Sequence, residues 1–248
     1  MKKTDYYSPD FKYKTSLSQH LMHREVVSLD ILSKLDFKNE NKFYDVGCGN
    51  GFFLKSAKKI LGNNLTYSGG DYSLFQQKKA SSDSEFKVDI IDLEEKFNYQ
   101  DNYFDCVYSG EVIEHLFNPD NMVSEMYRAL KPGGYFLCTT PNMNSWCSRI
   151  VFLFGIAPIT YECSTVSGMY GFGILKKLKK QSHPVGHVRL FNYLSLKDIF
   201  TSNGFEVVEL KGAIFESMPK KIIWIDYLFS KIPSLSSDLV ILGRKPLK

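Results

Sequence analysis

The sequence lacks several features that would place it in a specialised class of protein. It contains no run approaching the ~18 uninterrupted apolar residues that a membrane-spanning helix needs. Its first residues are followed by no apolar stretch of the kind found in signal peptides. The 5 cysteines show no paired spacing of the zinc-binding type. We therefore expect a cytoplasmic protein with reduced thiols and no membrane span, and we leave peripheral membrane contact open.

A large excess of one charge is also missing. The chain carries 31 Lys and Arg against 27 Asp and Glu, a formal net charge of +4. Nucleic-acid-binding domains usually show a larger and more clustered excess, so we do not expect a nucleic-acid partner. The length of 248 residues and the 44% hydrophobic content suit one α/β domain. We predict a single domain over residues 1–248 and leave its oligomeric state open.

The most informative stretch runs from Phe43 to Phe53. Its first four residues predict a short buried strand, and residues 52–61 predict a helix with apolar residues at helical spacing. Three glycines at alternate positions, Gly47, Gly49 and Gly51, separate the two elements. Glycine allows a sharp turn and a close approach of a ligand to the backbone, and the helix beyond presents unpaired N–H groups. The pattern predicts a nucleotide-type pocket.

The spacing of these glycines excludes the common dinucleotide fingerprint. That fingerprint has a gap of two residues before its third glycine and holds a pyrophosphate. Here Asp45 precedes Gly47, and a carboxylate repels a pyrophosphate but attracts an ammonium group. The Asp-x-Gly-x-Gly-x-Gly pattern resembles motif I of the class I S-adenosylmethionine-dependent methyltransferases. Any other tight strand-to-helix turn is the alternative reading of this stretch taken alone.

Strands and helices alternate over the following hundred residues. This alternation predicts an α/β, Rossmann-like, doubly wound sheet of seven mostly parallel strands with helices on both faces. The expected strands after the first are 65–68, 85–90, 104–109, 135–140, 205–210 and 238–245, and the last two are expected to pair antiparallel. After the helix at residues 52–61, the expected helices are 74–80, 121–130, 195–202 and 220–231. A helical and aromatic cap, residues 1–41, precedes the sheet. Its helix is expected from about Ser18 and is read as a packing helix, with an apolar face made of Leu21, Val26, Leu29, Leu32 and Leu35. Tyr6, Tyr7 and Tyr13 are left open as residues that close over the pocket.

Further motifs appear in the order expected of the same methyltransferase family. The runs Glu111-Val112-Ile113-Glu114-His115-Leu116 and Leu130-Lys131-Pro132-Gly133-Gly134 are the more specific ones. The resemblance implies S-adenosyl-L-methionine as the cofactor. The residues that would bind it are Asp45, Gly47, Cys48, Gly49, Gly51, Asp71, Tyr72, Asp89, Ile90, Gly110 and Glu111.

Two acidic residues have particular expected roles. Asp71 ends the second strand, where a carboxylate in nucleotide-binding α/β units accepts hydrogen bonds from the ribose hydroxyls. It could also cap the helix that follows, and both roles can hold at once. The resemblance places Asp89 beside the adenine with Ile90 packed on the ring, and Asp92 competes with Asp89 for this role.

Histidines and carboxylates suggest how the acceptor is handled. His115 and His187 are the candidate general bases, because imidazole titrates near neutrality. Glu111, Glu114 and His115 would lie within about one turn if their segment were helical. This set resembles the divalent-metal site of ubiquinone-biosynthesis O-methyltransferases and small-RNA 2′-O-methyltransferases, with a metal such as Mg. His187 is either a further ligand or a structural histidine.

Residues 143–188 interrupt the alternation after the fifth strand. An insertion there lies over the sheet edge that holds the cofactor, so we expect a substrate lid. Its lysine run, residues 175–180, is read as a solvated face, an anionic-lipid or nucleic-acid patch, or a means of steering an anionic substrate. We expect methylation of a small molecule, on oxygen, with a glycan precursor, quinone-like lipid or secondary metabolite as acceptor. The alternatives are a catalytically silent cofactor-binding subunit and an RNA 2′-O-methyltransferase.

Overall fold

The computed structural model describes residues 20–73, 76–77, 86–178 and 182–247. Three of the expectations fall wholly or partly outside these residues. They concern the three tyrosines near the N-terminus, most of the helix expected at 74–80, and the last two lysines of the run 175–180.

Helices and strands alternate along most of the described chain. The helices are α1 (His23–Leu32), α2 (Phe52–Leu61), α3 (Pro119–Ala129), α4 (Trp146–Leu153), α5 (Tyr193–Ser202) and α6 (Ile223–Ser230). The strands are β1 (Lys42–Val46), β2 (Thr66–Asp71), β3 (Lys87–Ile90), β4 (Phe104–Gly110), β5 (Leu130–Pro141), β6 (Glu206–Ala213) and β7 (Asp238–Arg244). Short 3₁₀ turns form at Ile113–His115 and Gly173–Leu178.

The strands form one seven-stranded sheet in the order β3-β2-β1-β4-β5-β7-β6. Strands β1 to β5 are parallel, and β7 runs antiparallel to both of its neighbours. This confirms the expected Rossmann-like, mostly parallel sheet with an antiparallel edge. The strand order reverses between β1 and β4, and ligands of open α/β sheets bind beyond the carboxyl ends of the strands at such a point.

Helices cover both faces of the sheet, as the alternation predicted. Successive residues of a strand point to opposite faces, so Phe43 packs in the layer under α1 and α2 while Tyr44 packs in the layer under α3 and α5. Along β7, Leu239 and Ile241 join the second layer and Val240 joins the first. The central strands are therefore buried on both sides, and side chains at their ends face the sheet edge.

Local signals set the helix boundaries. Gly51 caps α2 in the left-handed region at φ 75°, and Gly62 ends it at φ 99°. At α3, the Asn118 side chain accepts a hydrogen bond from Asn121 N, and Pro119 occupies the first turn, where its missing N–H costs nothing. Helix α3 therefore starts at Pro119, before the expected residue 121.

Two sequence expectations, one about the start of β5 and one about α1, need correction. Lys131–Gly134 was expected to end the helix at Leu130 and turn the chain, but Leu130–Gly134 belongs to β5. The register against β4 shifts between Phe104 and Cys106, so the extra residues form an irregularity inside the strand. In α1, Val26 was expected on the buried face and is 49% exposed, because α1 packs through Leu29, Ile31 and Leu32.

The insertion 143–188 contains α4 and one 3₁₀ turn and is otherwise irregular. It returns to the sheet at Phe191, which forms an isolated bridge with Asn142. Just before this bridge, the N–H groups of Val188 and Arg189 both donate to the carbonyl of Glu114. The end of the insertion is thereby fixed to the loop after β4. Within the described residues, no helix combines the length and apolar character needed to cross a membrane.

Candidate functional site

The glycine turn after β1 is held by backbone hydrogen bonds to β2. The N–H groups of Gly47 and Cys48 both donate to the carbonyl of Gly70, at 2.8 and 3.1 Å. All three glycines of the turn have positive φ, 73° at Gly47, 52° at Gly49 and 75° at Gly51. A side chain at any of them would strain the backbone.

The surroundings of these glycines differ. A Cβ on Gly47 would lie 2.4 Å from Cγ2 of Val112, so this glycine lets the turn pack against the loop after β4. A Cβ on Gly49 would meet no atom within 4 Å. The backbone at Gly49 therefore faces open space, into which a ligand can approach the main chain closely.

Asp71 connects the turn to the end of β2. Its Oδ2 accepts a hydrogen bond from Gly49 N at 2.9 Å, and its Oδ1 accepts one from Ser73 N at 2.8 Å. Burial raises the pKa of this carboxyl, and the two backbone hydrogen bonds oppose that rise. The contact with Ser73 is a local turn, and the cap of the helical residues that follow is Ser73 rather than Asp71, because Ser73 Oγ accepts a hydrogen bond from Gln76 N at 3.4 Å. Each carboxylate oxygen can still accept a further hydrogen bond from a ligand.

Asp45 is a carboxyl group without a protein partner. It is only 2% exposed, and no donor within the described residues forms a hydrogen bond with it. Burial raises its pKa well above the usual value, and the neighbouring acids Asp71 and Glu25 raise it further. A buried acid of this kind favours a bound cation, because pairing removes the cost of its charge.

Asp89 lies near the other two acids. Burial raises the pKa of the Cys48 thiol, and Asp45, Asp71 and Asp89 all add to that effect, so all three carboxyls lie near enough to Cys48 to interact with it electrostatically. The Tyr99 hydroxyl donates a hydrogen bond to Asp89 Oδ2. Ile90, which follows Asp89 in β3, is 54% exposed and available for contact with a ligand.

The remaining cofactor candidates, Tyr72, Gly110 and Glu111, flank the same edge. Gly110 ends β4, where a Cβ would lie 2.4 Å from the Tyr108 hydroxyl. Glu111 has a left-handed backbone at φ 56°, uncommon for a residue other than glycine. Its Oε1 accepts a hydrogen bond from Thr139 Oγ1 at 3.0 Å. With this backbone conformation, the Glu111 side chain reaches Thr139 of β5.

Arg24 is a residue that the sequence did not single out. It extends from α1, and its guanidinium lies 3.5 Å from Glu111 and 3.4 Å from Asp238. Burial alone would lower its pKa, but these carboxylates outweigh burial and raise it. A periodicity argument assigned this helix a packing role only, and no local signal marks an arginine that pairs with residues 87 and 214 positions away. Arg24 neutralises acids at the centre of the edge.

Glu114 is the most deeply buried acid of the loop after β4. Its Oε2 accepts a hydrogen bond from Thr140 Oγ1 at 3.2 Å. Its Oε1 is fully enclosed, and no group in the described part of the chain forms a hydrogen bond with it. Burial raises the pKa of Glu114 well above the usual value, and Glu111 adds to the rise. Like Asp45, this oxygen suits a cation or a donor from a ligand.

His115 and His187 face each other, with ring centroids 5.1 Å apart. His115 Nδ1 lies 3.0 Å from the Gly186 carbonyl, and His187 Nδ1 lies 3.2 Å from the Thr160 carbonyl. A carbonyl only accepts, so each Nδ1 carries the hydrogen and each Nε2 of the neutral ring is an acceptor. Burial lowers the pKa of His115, and the neighbouring His187 lowers it further.

The metal-ligand set differs from the one expected. Ligand atoms of Glu114, His115 and His187 lie within 4.8 Å of one another, and Glu111 is not in this group. The expectation assumed an α-helical segment, whereas residues 113–115 form a 3₁₀ turn and Glu111 precedes it in a left-handed conformation. Glu111 is instead held by Arg24 and Thr139.

A carboxylate of the insertion holds His187 in place. Glu162 accepts hydrogen bonds from the N–H groups of Val185, Gly186 and His187, at 2.8, 2.8 and 3.1 Å. The insertion therefore folds back on itself around this side chain and carries His187 to His115. Sequence reasoning missed Glu162, because its partners lie more than twenty residues further along an irregular segment.

This sheet order, with its glycine turn after β1 and acidic residues at three strand ends, defines the class I methyltransferase fold. Residues 19–210 match the family model described as a methyltransferase domain. The chain belongs to this family of S-adenosylmethionine-dependent methyltransferases, as its motifs predicted.

The similarity extends to named proteins at low identity. The chain is 24% identical over 222 residues to the mitochondrial ubiquinone biosynthesis O-methyltransferase of Dictyostelium discoideum, a match that covers 83% of this chain but 59% of the relative. It is 26% identical over 225 residues to the ubiquinone biosynthesis O-methyltransferase of Rickettsia typhi, covering 83% of this chain and 80% of the relative. A SAM-dependent methyltransferase structure from Thermotoga maritima covers 89% of each chain with a TM-score of 0.58 and 19% identity, which shows the shared fold.

Proposed function

We propose that this chain transfers a methyl group from S-adenosylmethionine to an oxygen of a small molecule. The observation that carries the proposal is the juxtaposition, along one sheet edge, of two different groups. Asp45, Asp71 and Asp89 lie at or near the ends of β1, β2 and β3, beside the open glycine turn, and Asp45 is buried. His115 and His187, each with an Nε2 that can accept a hydrogen bond, lie beyond the end of β4. The first group suits the cofactor and the second suits an acceptor hydroxyl.

The cofactor site would use both ends of the turn. Asp45 would pair with the ammonium of the methionine part, and Asp71 would accept the ribose hydroxyls while it holds Gly49. Asp89, oriented by Tyr99, would accept from the adenine amine, and Ile90 would pack on the ring. When bound, S-adenosylmethionine supplies an activated methyl group on a sulfonium, and the largest requirement on the protein is alignment of the acceptor.

The histidines would handle the acceptor proton. His115 is neutral at pH 7, because its pKa is lowered, and its Nδ1 is occupied by Gly186. The free Nε2 can therefore take the proton from an acceptor hydroxyl. His187 offers a second Nε2, on a ring whose centroid lies 5.1 Å from the centroid of the His115 ring. The insertion 143–188, which positions His187, would serve as the acceptor lid.

The same residues fit a divalent cation. Glu114 Oε1 has no hydrogen-bond partner among the described residues and lies 3.9 Å from His115 Nε2, and two histidine Nε2 atoms with a carboxylate form a common donor set for divalent metals. Glu114, His115 and His187 would hold such a metal, and their two imidazoles suit Fe, Zn or Ni better than Mg, which prefers oxygen ligands. When bound, it would polarise and orient hydroxyls of the acceptor. A histidine that binds the metal cannot also be the base, so metal dependence decides between these two roles.

The acceptor class follows from the relatives and from the surroundings of the lid. The two named relatives are ubiquinone biosynthesis O-methyltransferases, so hydroxylated aromatic lipids head the acceptors to test. Glycan precursors and other hydroxylated small molecules come next. A silent cofactor-binding subunit would bind the cofactor in the same way and release no product.

Calorimetric titration with S-adenosylmethionine, followed by an acceptor screen for S-adenosylhomocysteine release, tests the proposal. The screen should be run with Mg²⁺ and with a chelator, on the wild type, on His115→Gln and on His183→Gln, an exposed histidine of the insertion, as the control. We expect binding, and turnover of an acceptor carrying a free hydroxyl, lost in His115→Gln and kept in His183→Gln. Absence of cofactor binding would overturn the proposal, and binding without turnover of any acceptor would favour the silent subunit.

A further inference from the structure

Helix α6 has the opposite amphipathicity from a normal surface helix. A surface helix normally buries its apolar stripe and exposes its polar one. Here Asp226 and Ser230 are buried, at 0% and 8% exposure, while Trp224, Tyr227 and Leu228 are 64%, 55% and 55% exposed. The fold therefore presents the apolar side of α6 outward.

The buried polar side of α6 is satisfied inside the protein, so the orientation is a built feature. Asp226 Oδ1 accepts hydrogen bonds from Trp146 Nε1 at 2.7 Å and from Ser237 Oγ at 2.6 Å. Its Oδ2 accepts one from Phe215 N at 2.7 Å. Rotating α6 to hide its apolar side would break these three bonds to a buried carboxylate, which is costly.

Helix α4 extends this apolar surface. Trp146 stacks on Phe229 of α6 with ring centroids 5.4 Å apart. Ile150 and Leu153 follow Trp146 at spacings of four and seven, so they share the face that borders α6. They are 48% and 85% exposed, and Phe154 beyond them is 75% exposed. We call the residues Ile150, Leu153, Phe154, Trp224, Leu228 and Ile232 the α4–α6 face.

The exposed charges in the two segments that carry the α4–α6 face are positive, and the acids Glu162 and Glu216 border these segments. The sequence from 143 to 161 contains no Asp or Glu, and from 217 to 237 the one acidic residue is the buried Asp226. The same stretches carry exposed cations at Arg149, Lys220, Lys221 and Lys231. Exposed Trp, Leu and Phe in segments whose exposed charges are basic match a helix that lies in the surface of an anionic bilayer.

We propose that the α4–α6 face docks the protein on the surface of an anionic lipid bilayer. Apolar burial of Leu153, Phe154 and Trp224 in the headgroup region supplies one part of the attraction, and the lysines supply the other. Thr160, whose carbonyl meets His187, follows Leu153 by only seven residues. Docking would thus bring the insertion to the lipid surface, a consequence that rests on the proposed function, whereas docking itself does not.

Flotation of the full chain with vesicles tests this docking. Neutral phosphatidylcholine vesicles are compared with vesicles that also contain phosphatidylglycerol, at low and at physiological salt. We expect binding to the anionic vesicles, with about a fivefold loss for each of Lys220→Ala and Lys221→Ala and weaker binding at high salt. Leu153→Glu and Trp224→Glu should each reduce binding about tenfold or more, because a charge must enter the apolar layer.

Leu194→Glu is the matched control, because Leu194 is 63% exposed on α5, on the other layer of the protein. It should bind like the wild type. As a direct readout, brominated lipid should quench Trp224 fluorescence in the wild type, and Trp224→Phe should bind but lose this quenching. Thermal melts of each variant check that the outward substitutions leave the fold intact.

Three results would overturn the docking proposal. They are absence of binding to anionic vesicles, equal binding of all variants, and equal binding to neutral vesicles. A wild-type dimer in sedimentation velocity that Trp224→Glu dissociates, without vesicle binding, would assign the face to a second copy of the chain instead.

Discussion

The two halves of the candidate site are built in different ways. The proposed cofactor half lies at the ends of β1, β2 and β3. Its glycine turn is closed by backbone hydrogen bonds to the Gly70 carbonyl and by a hydrogen bond that Gly49 N donates to the Asp71 carboxylate. The acceptor half joins distant segments, since His115 reaches a carbonyl 71 residues away at Gly186. One half is a strand-turn-helix unit and the other depends on how the insertion folds. Acceptor choice can therefore change while the cofactor half stays constant.

Substitution of His187 should separate the two halves most clearly. His187→Ala removes an acceptor-side group without touching the glycine turn, so turnover should fall about 100- to 1000-fold while the cofactor dissociation constant stays within about twofold. Steady-state kinetics and calorimetry measure the two quantities. His183→Ala, an exposed histidine of the same insertion, is the control. A parallel loss of cofactor affinity would show that the halves are not independent.

Two of the three glycines of the turn, Gly47 and Gly49, test how the turn packs against the loop after β4. Gly47→Ala places a Cβ 2.4 Å from Val112, in the run that also carries Glu114 and His115. The clash and the positive φ should together cost about 2–3 kcal/mol of stability. Gly49→Ala meets open space and should cost about 1 kcal/mol from backbone strain alone, but it should weaken cofactor binding. Denaturant unfolding and calorimetry check both, and equal destabilisation would contradict the packing difference.

Asp45 offers a contrast between stability and binding. Its raised pKa means that the ionised form destabilises the fold, fully above its folded-state pKa and less as pH falls toward the unfolded value of about 4. Asp45→Asn should therefore stabilise the protein by about 1 kcal/mol near pH 8, about 2–4 °C in melting temperature, and the gain should disappear near pH 4. Cofactor affinity should fall at the same time. A destabilised Asp45→Asn protein at pH 8 would refute this.

The smallest expected effect concerns the titration of His115. Burial and the adjacent His187 lower its pKa, so NMR titration should find a midpoint below the ordinary value of about 6.5. In His187→Gln the midpoint should move up toward that value, because the neighbouring positive charge at low pH is gone. An unchanged midpoint would show that His187 exerts no influence on His115.

The glycine turn and the acids at the strand ends could be predicted from the sequence because their signals are local. Glycine spacing, the acid before Gly47 and the acid that ends β2 follow from strand and turn chemistry. The succession of strands and helices along the chain also followed from the alternation of apolar periodicities, whereas the order of the strands within the sheet was not predicted. The acceptor half could be predicted only as residue types, because its geometry depends on tertiary contacts.

Particular residues show where sequence reasoning ended. Nothing in the local pattern indicates the left-handed backbone at Glu111 or its ion pair with Arg24 from a preceding helix. The role of Glu162 depends on an irregular segment that no periodicity describes. The inverted polarity of α6 could not be read either, because a helix with so many apolar residues normally predicts burial rather than an exposed face.

Calorimetric titration of S-adenosylmethionine into the wild type and Asp71→Ala tests the central claim most directly. Asp71 holds Gly49 and would accept the ribose hydroxyls, and charge-assisted hydrogen bonds are about twice as strong as neutral ones. We predict saturable binding by the wild type, at least about a 100-fold loss in Asp71→Ala, and unchanged affinity in Asp30→Ala, an exposed acid of α1. Equal affinity of the wild type and a folded Asp71→Ala protein would contradict the account.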